Sequence, residues 1–257
     1  MVEGREPVTM HASTDTTRTP TRQFLADLAR SGEVLVRHPL LPLLTLGLAL
    51  LTQYPMLRDH FDSWAQTISL LAWVVMAGWV GTQRIWFLRA FRGEAMRPAE
   101  LVTLTVAFTP RFVLLGLLIT LPTLVVVPLA TVWVHDPRTL FTVWLVLPLV
   151  VSVATDVVLT FVTPALAYST TKLRRAFRLG LGMLRHEWPR CAWYALVPPF
   201  AITMLVRLIP RSALGPATGA TIGLMGFMVG LWFKGAIAAY YLRCRPVEAS
   251  VDAAVAT

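Results

Sequence analysis

Asp156 and Lys234 are charged residues that fall well inside long apolar stretches of the sequence. An isolated charge near the centre of a bilayer costs roughly 2.5–3.5 kcal/mol on insertion scales, so such residues mark either a functional site or an interhelical partner. Asp156 lies about 12 residues from Tyr168 and Lys234 about 9 from Arg243, which at 1.5 Å per residue puts them about 18 and 13 Å from their helix ends. A lysine side chain closes much of that difference. The spacing predicts an ion pair between the fourth and sixth membrane spans, serving as a packing constraint or lining a polar pocket.

Two other groups have the side chains for chemistry. Asp59, His60, Asp62, His135 and Asp136 sit in short polar loops, and carboxylates and imidazoles are ligands for divalent metals. The simpler account is that they cap helices where water begins, and no metal or cofactor is assigned to them. Arg174, Arg175, Arg178 and Arg185 form the basic face of an amphipathic segment, suited to anionic headgroups or an acidic partner. Searches for GxSxG, HExxH, Walker A, CxxC and DDxxD-like patterns find nothing. No catalytic residue is assigned, and intramembrane metal-dependent chemistry is not expected from so few acids. Cys191 and Cys244 read as free thiols on the cytoplasmic side, with no disulfide framework.

These residues are carried by apolar helices. The chain has 257 residues, 56% hydrophobic and 14% charged, where a soluble domain averages ~25% charged. Polar residues cluster in short blocks between apolar runs of roughly 20 residues, the length a helix needs to cross a bilayer. The alternation of a membrane β-barrel is missing. The reading is an all-α, polytopic membrane bundle of about six spans with two amphipathic interfacial helices. The spans run approximately over 39–56, 64–88, 111–134, 139–168, 191–209 and 220–242, and the amphipathic helices over Thr21–Arg37 and Ser169–Trp188. The first amphipathic helix puts Phe24, Leu25, Leu28, Leu35 and Val36 on one face, to lie in the interface or to pack on the protein's own cytoplasmic side. Pro122 and Pro128 predict a kink in the third span, and Pro198-Pro199 a break in the fifth.

Residues 1–20 are polar and lack an apolar signal segment, and with 246–257 they are expected to be disordered cytoplasmic tails around a single membrane domain. Met10 is an alternative start to Met1. Of the 23 Lys and Arg residues, all but Arg58, Arg138, Arg207 and Arg211 fall on one side of this topology, which by the positive-inside rule is the cytoplasm. Both termini are therefore expected inside an inner membrane. The net charge of +9 borders apolar segments and does not point to nucleic acid. Arginine carries nearly all of it, a bias we read as that of a GC-rich bacterial genome. Trp64, Trp86, Trp133, Trp144, Trp188 and Trp193 fall near span boundaries as interfacial anchors. Trp73, Trp79 and Trp232 lie deeper, packed, lipid-facing or lining a ligand cavity. Gly219–Gly223 and Gly226–Gly230 are GxxxG units that permit close helix contact.

Three segments carry a resemblance: Phe91-Arg-Gly-Glu-Ala-Met-Arg-Pro-Ala-Glu-Leu, Thr163-Pro-Ala-Leu-Ala followed by Ala176-Phe-Arg-Leu-Gly-Leu-Gly-Met-Leu-Arg, and Ala239-Tyr-Tyr-Leu-Arg-Cys-Arg. Together they resemble the six-helix membrane domain associated with bacterial glycerophosphodiester phosphodiesterases and its stand-alone relatives, over about Thr21 to Arg245. The catalytic domain of those enzymes has no counterpart in this sequence, so the resemblance implies a fold and no reaction. The expected function is that of a non-enzymatic, transporter-like or accessory and scaffold subunit of a membrane complex, with a protein or ATPase partner on its cytoplasmic face. One alternative is an ABC-exporter permease with its coupling helix in Arg89–Pro110. The other is a small intramembrane enzyme using Asp156 as acid on a lipid or isoprenoid.

Overall fold

The computed structural model describes residues 19–57, 63–133, 136–207 and 216–245. Asp59, His60, Asp62, His135 and nearly all of both expected tails lie outside the described residues. Among the described residues the regular structure is entirely helical: α1 (Pro20–Arg37), α2 (Leu40–Leu57), α3 (Ser63–Arg92), α4 (Pro98–Trp133), α5 (Pro137–Tyr168), α6 (Leu173–His186), α7 (Trp188–Arg207) and α8 (Pro216–Cys244). Each expected span and amphipathic segment falls on a helix. Prolines start α1, α4, α5 and α8, where the missing N–H is one the first turn leaves unpaired anyway. Asp136 caps α5, accepting from the Thr139 amide at 2.8 Å and the Thr139 hydroxyl at 2.6 Å.

Length and apolarity qualify four of these helices to cross a membrane, α3, α4, α5 and α8, and a fifth span if α1 and α2 count as one broken unit. α1 meets α2 at 86°, the corner expected where a helix lying along a surface turns into one crossing it. The 36 residues of α4 and 32 of α5 are longer than a bilayer needs, at about 54 and 48 Å against a ~30 Å hydrocarbon core. Leucines and valines are exposed along α2 to α5, and Trp133 at the end of α4 is 80% exposed. A water-soluble bundle would bury such faces; these suit lipid.

The core lies toward one end of the bundle, that of Leu88, Tyr168 and Tyr241. Gly81–Leu88 of α3, Leu159 to Tyr168 of α5 and Gly235–Tyr241 of α8 are buried on nearly all sides. Tyr168, Tyr194, Tyr240, Tyr241, Phe87 and Phe161 fill the space between them. Toward the other end burial fades: among the residues whose burial is described, the last buried one on α4 is Leu115 and the first on α5 is Leu159.

Three expectations are corrected. Arg89–Pro110 is no separate coupling helix, because α3 runs to Arg92, Gly93 turns the chain at φ +74°, and α4 begins at Pro98. Pro198-Pro199 lie within a continuous α7. Trp86 is a core residue at 4% exposure, packed edge-on to Trp79, and not an interfacial anchor. The tightest glycine contacts lie outside the GxxxG units: a Cβ on Gly219 would meet nothing within 4 Å and one on Gly223 would meet the Gln53 side chain of α2 at 3.0 Å, whereas Gly78 lies on Thr105 and Thr109 of α4, Gly180 on the α5 backbone, and Gly235 against Ser31 and Phe87.

Candidate functional site

Among the described residues, the polar side chains that come together do so inside the well-buried half of the bundle, in two layers. The deeper layer starts from Lys234 on α8. Its ammonium donates to Gln83 Oε1 at 3.0 Å, and the Gln83 amide donates to Thr45 Oγ1 at 2.9 Å. The Thr45 hydroxyl donates to its own helix at the Leu41 carbonyl, 2.8 Å, and also accepts from Trp79 Nε1 at 2.9 Å. Adjacent Arg84 forks, one nitrogen to the Lys234 carbonyl at 2.8 Å and another to Thr163 Oγ1 at 2.9 Å. Tyr168 donates to the Arg84 carbonyl at 2.7 Å. Four helices, α2, α3, α5 and α8, are thereby tied by neutral acceptors around the buried Arg84 and the half-buried Lys234.

Asp156 is not part of this layer. It faces an opening between α4 and α5 with Ile119, Thr120, Leu124, Ser152 and Thr155. The expected Asp156–Lys234 pair is therefore not formed. The reason is helical phase and height: Arg84 and Lys234 meet α5 at Thr163, seven residues or about 10 Å along the helix from Asp156. Gln83 takes the place given to Asp156 in the sequence reading.

The second layer joins the helix ends. Asp27 of α1 pairs with Arg243 of α8 and accepts from the Tyr194 hydroxyl of α7. Burial pushes the Asp27 carboxyl up, against the pull of Tyr194 and Arg243. Ser31 donates to the Trp232 carbonyl and Trp232 Nε1 to the Leu28 carbonyl, both at 2.7 Å. Glu187 accepts from Tyr240 at 2.8 Å and from the Cys244 thiol at 3.4 Å. Cys191 and Cys244 are free. α1 is thus bolted to α7 and α8 by Phe24, Asp27, Ser31 and Val34, while Leu25 and Val36 remain 57% and 81% exposed. Its polar face also roofs a hollow of about 390 Å³ bounded by Arg30, Arg37, His38, Phe91 and Glu94. Replacing Asp27 by alanine should leave the buried Tyr194 hydroxyl without its acceptor, at a cost of about 1–3 kcal/mol, and release the partly exposed Arg243 to solvent. Proteolysis within α1 of the purified protein should accelerate correspondingly, while Glu33→Ala, on an exposed pair, should change nothing measurable.

The arginines of α6 are placed by its packing. Ala176, Gly180 and Met183 are buried, and a Cβ on Gly180 would come within 2.6 Å of the Val162 amide nitrogen. With that side fixed, Arg174, Arg178 and Arg185 fall within one sector of about 40° at 100° per residue, next to the exposed Leu181. Arg175 lies about 60° further round, beside His186. Tyr240, Tyr241 and Gln83 had no visible role in the sequence. The signal that pointed to them is polar or amphipathic side chains spaced on the same helices as the buried cations.

Among the described residues, fold and site together define a helical protein with several helices able to cross a membrane and a polar interlock at one end of the bundle. No family model, curated protein or solved structure matches the chain.

Proposed function

We propose that this chain is a six-span inner-membrane protein, termini inside, that works as a non-enzymatic accessory or scaffold subunit. Its interlocked cytoplasmic half serves as a plate held at the anionic membrane surface by α1 and α6. The observation that carries this reading is the three-sided exposure of α6. One side is buried against α5, the next presents Leu181, and the arginine edge follows directly. Protein, lipid and headgroup would meet those sides in that order. α1 has the same arrangement, with Leu25 and Val36 as its lipid side. The helix order also suits the resemblance to the six-helix membrane domain, which is part of this proposal. A scaffold is favoured over a transporter because the cytoplasmic half is filled by tyrosines, phenylalanines and a hydrogen-bonded polar network.

The test is reconstitution of the full chain in nanodiscs with neutral or anionic lipid. Amides of α6 should exchange more slowly in anionic discs. The triple change Arg174→Gln, Arg178→Gln, Arg185→Gln should abolish the difference, since each basic residue near an anionic surface contributes about 1 kcal/mol, and 1 M salt should abolish it too. Arg175→Gln should have little effect. Equal protection in both lipids would refute the surface-bound plate.

A further inference from the structure

The opening that holds Asp156 has a consistent chemistry. It measures about 280 Å³ and is lined by Ile119, Thr120 and Leu124 of α4 and Ser152, Thr155 and Asp156 of α5. Asp156 and Ser152 are exposed. The threonine hydroxyls already donate to their own helices, Thr120 to the Leu117 carbonyl at 3.0 Å and Thr155 to the Val151 carbonyl at 2.7 Å. They therefore turn acceptor lone pairs toward the groove, alongside a carboxylate. Among the described residues no basic side chain lines it. Its apolar lining is Ile119 and the exposed Leu124. Asp156 lies about 18 Å from one end of α5 and about 28 Å from the other, within the apolar length of the helix. An acidic group facing lipid there is costly, and such groups ordinarily face a partner or a polar cavity.

We propose that the α4–α5 groove is the docking site for a transmembrane helix of another protein that carries one basic side chain at the level of Asp156. The charge complementarity is direct: acceptors at the centre, apolar side chains around them, and a furrow between two helices to receive a third. A second copy of this chain is a poorer occupant. The cations inside its described bundle, Arg84 and Lys234, are engaged with Thr163 and Gln83 in the cytoplasmic half. This inference rests on the membrane-spanning reading above and names the partner chemistry of the scaffold.

The probe is a leucine-rich helix of about 20 residues with one central lysine, compared with the same helix carrying leucine there. Binding to the full-length labelled chain is followed by energy transfer in lipid vesicles. The lysine helix should bind at least tenfold more tightly, Asp156→Asn should erase the preference, and Asp156→Glu should retain it. Thermal melting of each variant identifies any change that merely unfolds the protein, and the conservative glutamate variant keeps the comparison open in that case. Equal binding of the two helices, or an undiminished preference in Asp156→Asn, overturns the proposal. So does chain-to-chain crosslinking of Ser152→Cys in preference to capture of the lysine helix. Resistance of the chain to alkaline extraction is scored in the same vesicles. An inserted chain without lysine preference overturns the docking site alone, whereas a chain that washes off overturns the spanning reading and the groove with it.

Discussion

Gly78→Ala should be among the most damaging small substitutions in this protein, and Gly219→Ala among the most benign. α3 and α4 cross at Gly78 and Gly81. A Cβ on Gly78 would overlap the Thr105 carbonyl oxygen and the Thr109 hydroxyl, and one on Gly81 would come within 2.7 Å of Phe108 Cβ. The Thr105 oxygen is backbone, so the helices must separate. Separation would also break the Thr82–Thr105 hydroxyl contact of 3.0 Å across the same crossing. Overpacking of this kind costs about 1–3 kcal/mol, and more where rigid backbone is involved. At Gly219 nothing lies within 4 Å, and alanine is the better helix former by roughly 0.5–1 kcal/mol. Thermal melting in one detergent checks both: the first variant should lose several degrees and the second should be unchanged or improved. The reverse order would mean that the GxxxG units, and not the α3–α4 crossing, make the tight contact.

The second large effect concerns the partner of Lys234. Gln83→Leu removes the acceptor of its ammonium, and leaving a buried charged donor without a partner costs upward of about 3 kcal/mol. Adding Lys234→Met should recover most of that loss, because both polar groups are then replaced by apolar ones of similar size. Asp156→Asn combined with Lys234→Met should be additive to within about 0.5 kcal/mol, as independent sites are. Unfolding of the single and double variants completes the two cycles. Strong coupling of Asp156 to Lys234, or none between Gln83 and Lys234, would contradict the polar interlock described above.

The helices were legible because apolar runs and proline starts are local signals. α1 and α6 could be read from a 100° periodicity, and their arginine faces emerged as exposed. Their inner sides could not be read fully. Asp27 and Ser31 look like surface residues on a wheel, yet they are buried because Arg243, Tyr194 and the Trp232 carbonyl come from α7 and α8. The Asp156–Lys234 expectation used height along two helices and lacked their relative rotation. Lys234 turns to α3 and Asp156 to α4. Gln83 escaped notice because an uncharged amide in an apolar run carries no cost signal until it is paired. The same holds for glycines: GxxxG spacing is visible in sequence, but which glycine meets backbone depends on the crossing point. Trp86 sits at a predicted span boundary and is buried because Gly81–Leu88 is enclosed from all sides.

The most direct test of the central claim, a chain that spans the inner membrane with its interlocked half in the cytoplasm, is labelling of single cysteines on intact cells with an impermeant maleimide. Both natural cysteines, Cys191 and Cys244, are first replaced by serine, and a cysteine is placed at His60, at His135 or at Arg185. The account predicts labelling at positions 60 and 135 before lysis, and labelling at position 185 only after the cells are opened. Labelling at Arg185 in intact cells, or protection at His60, would contradict it.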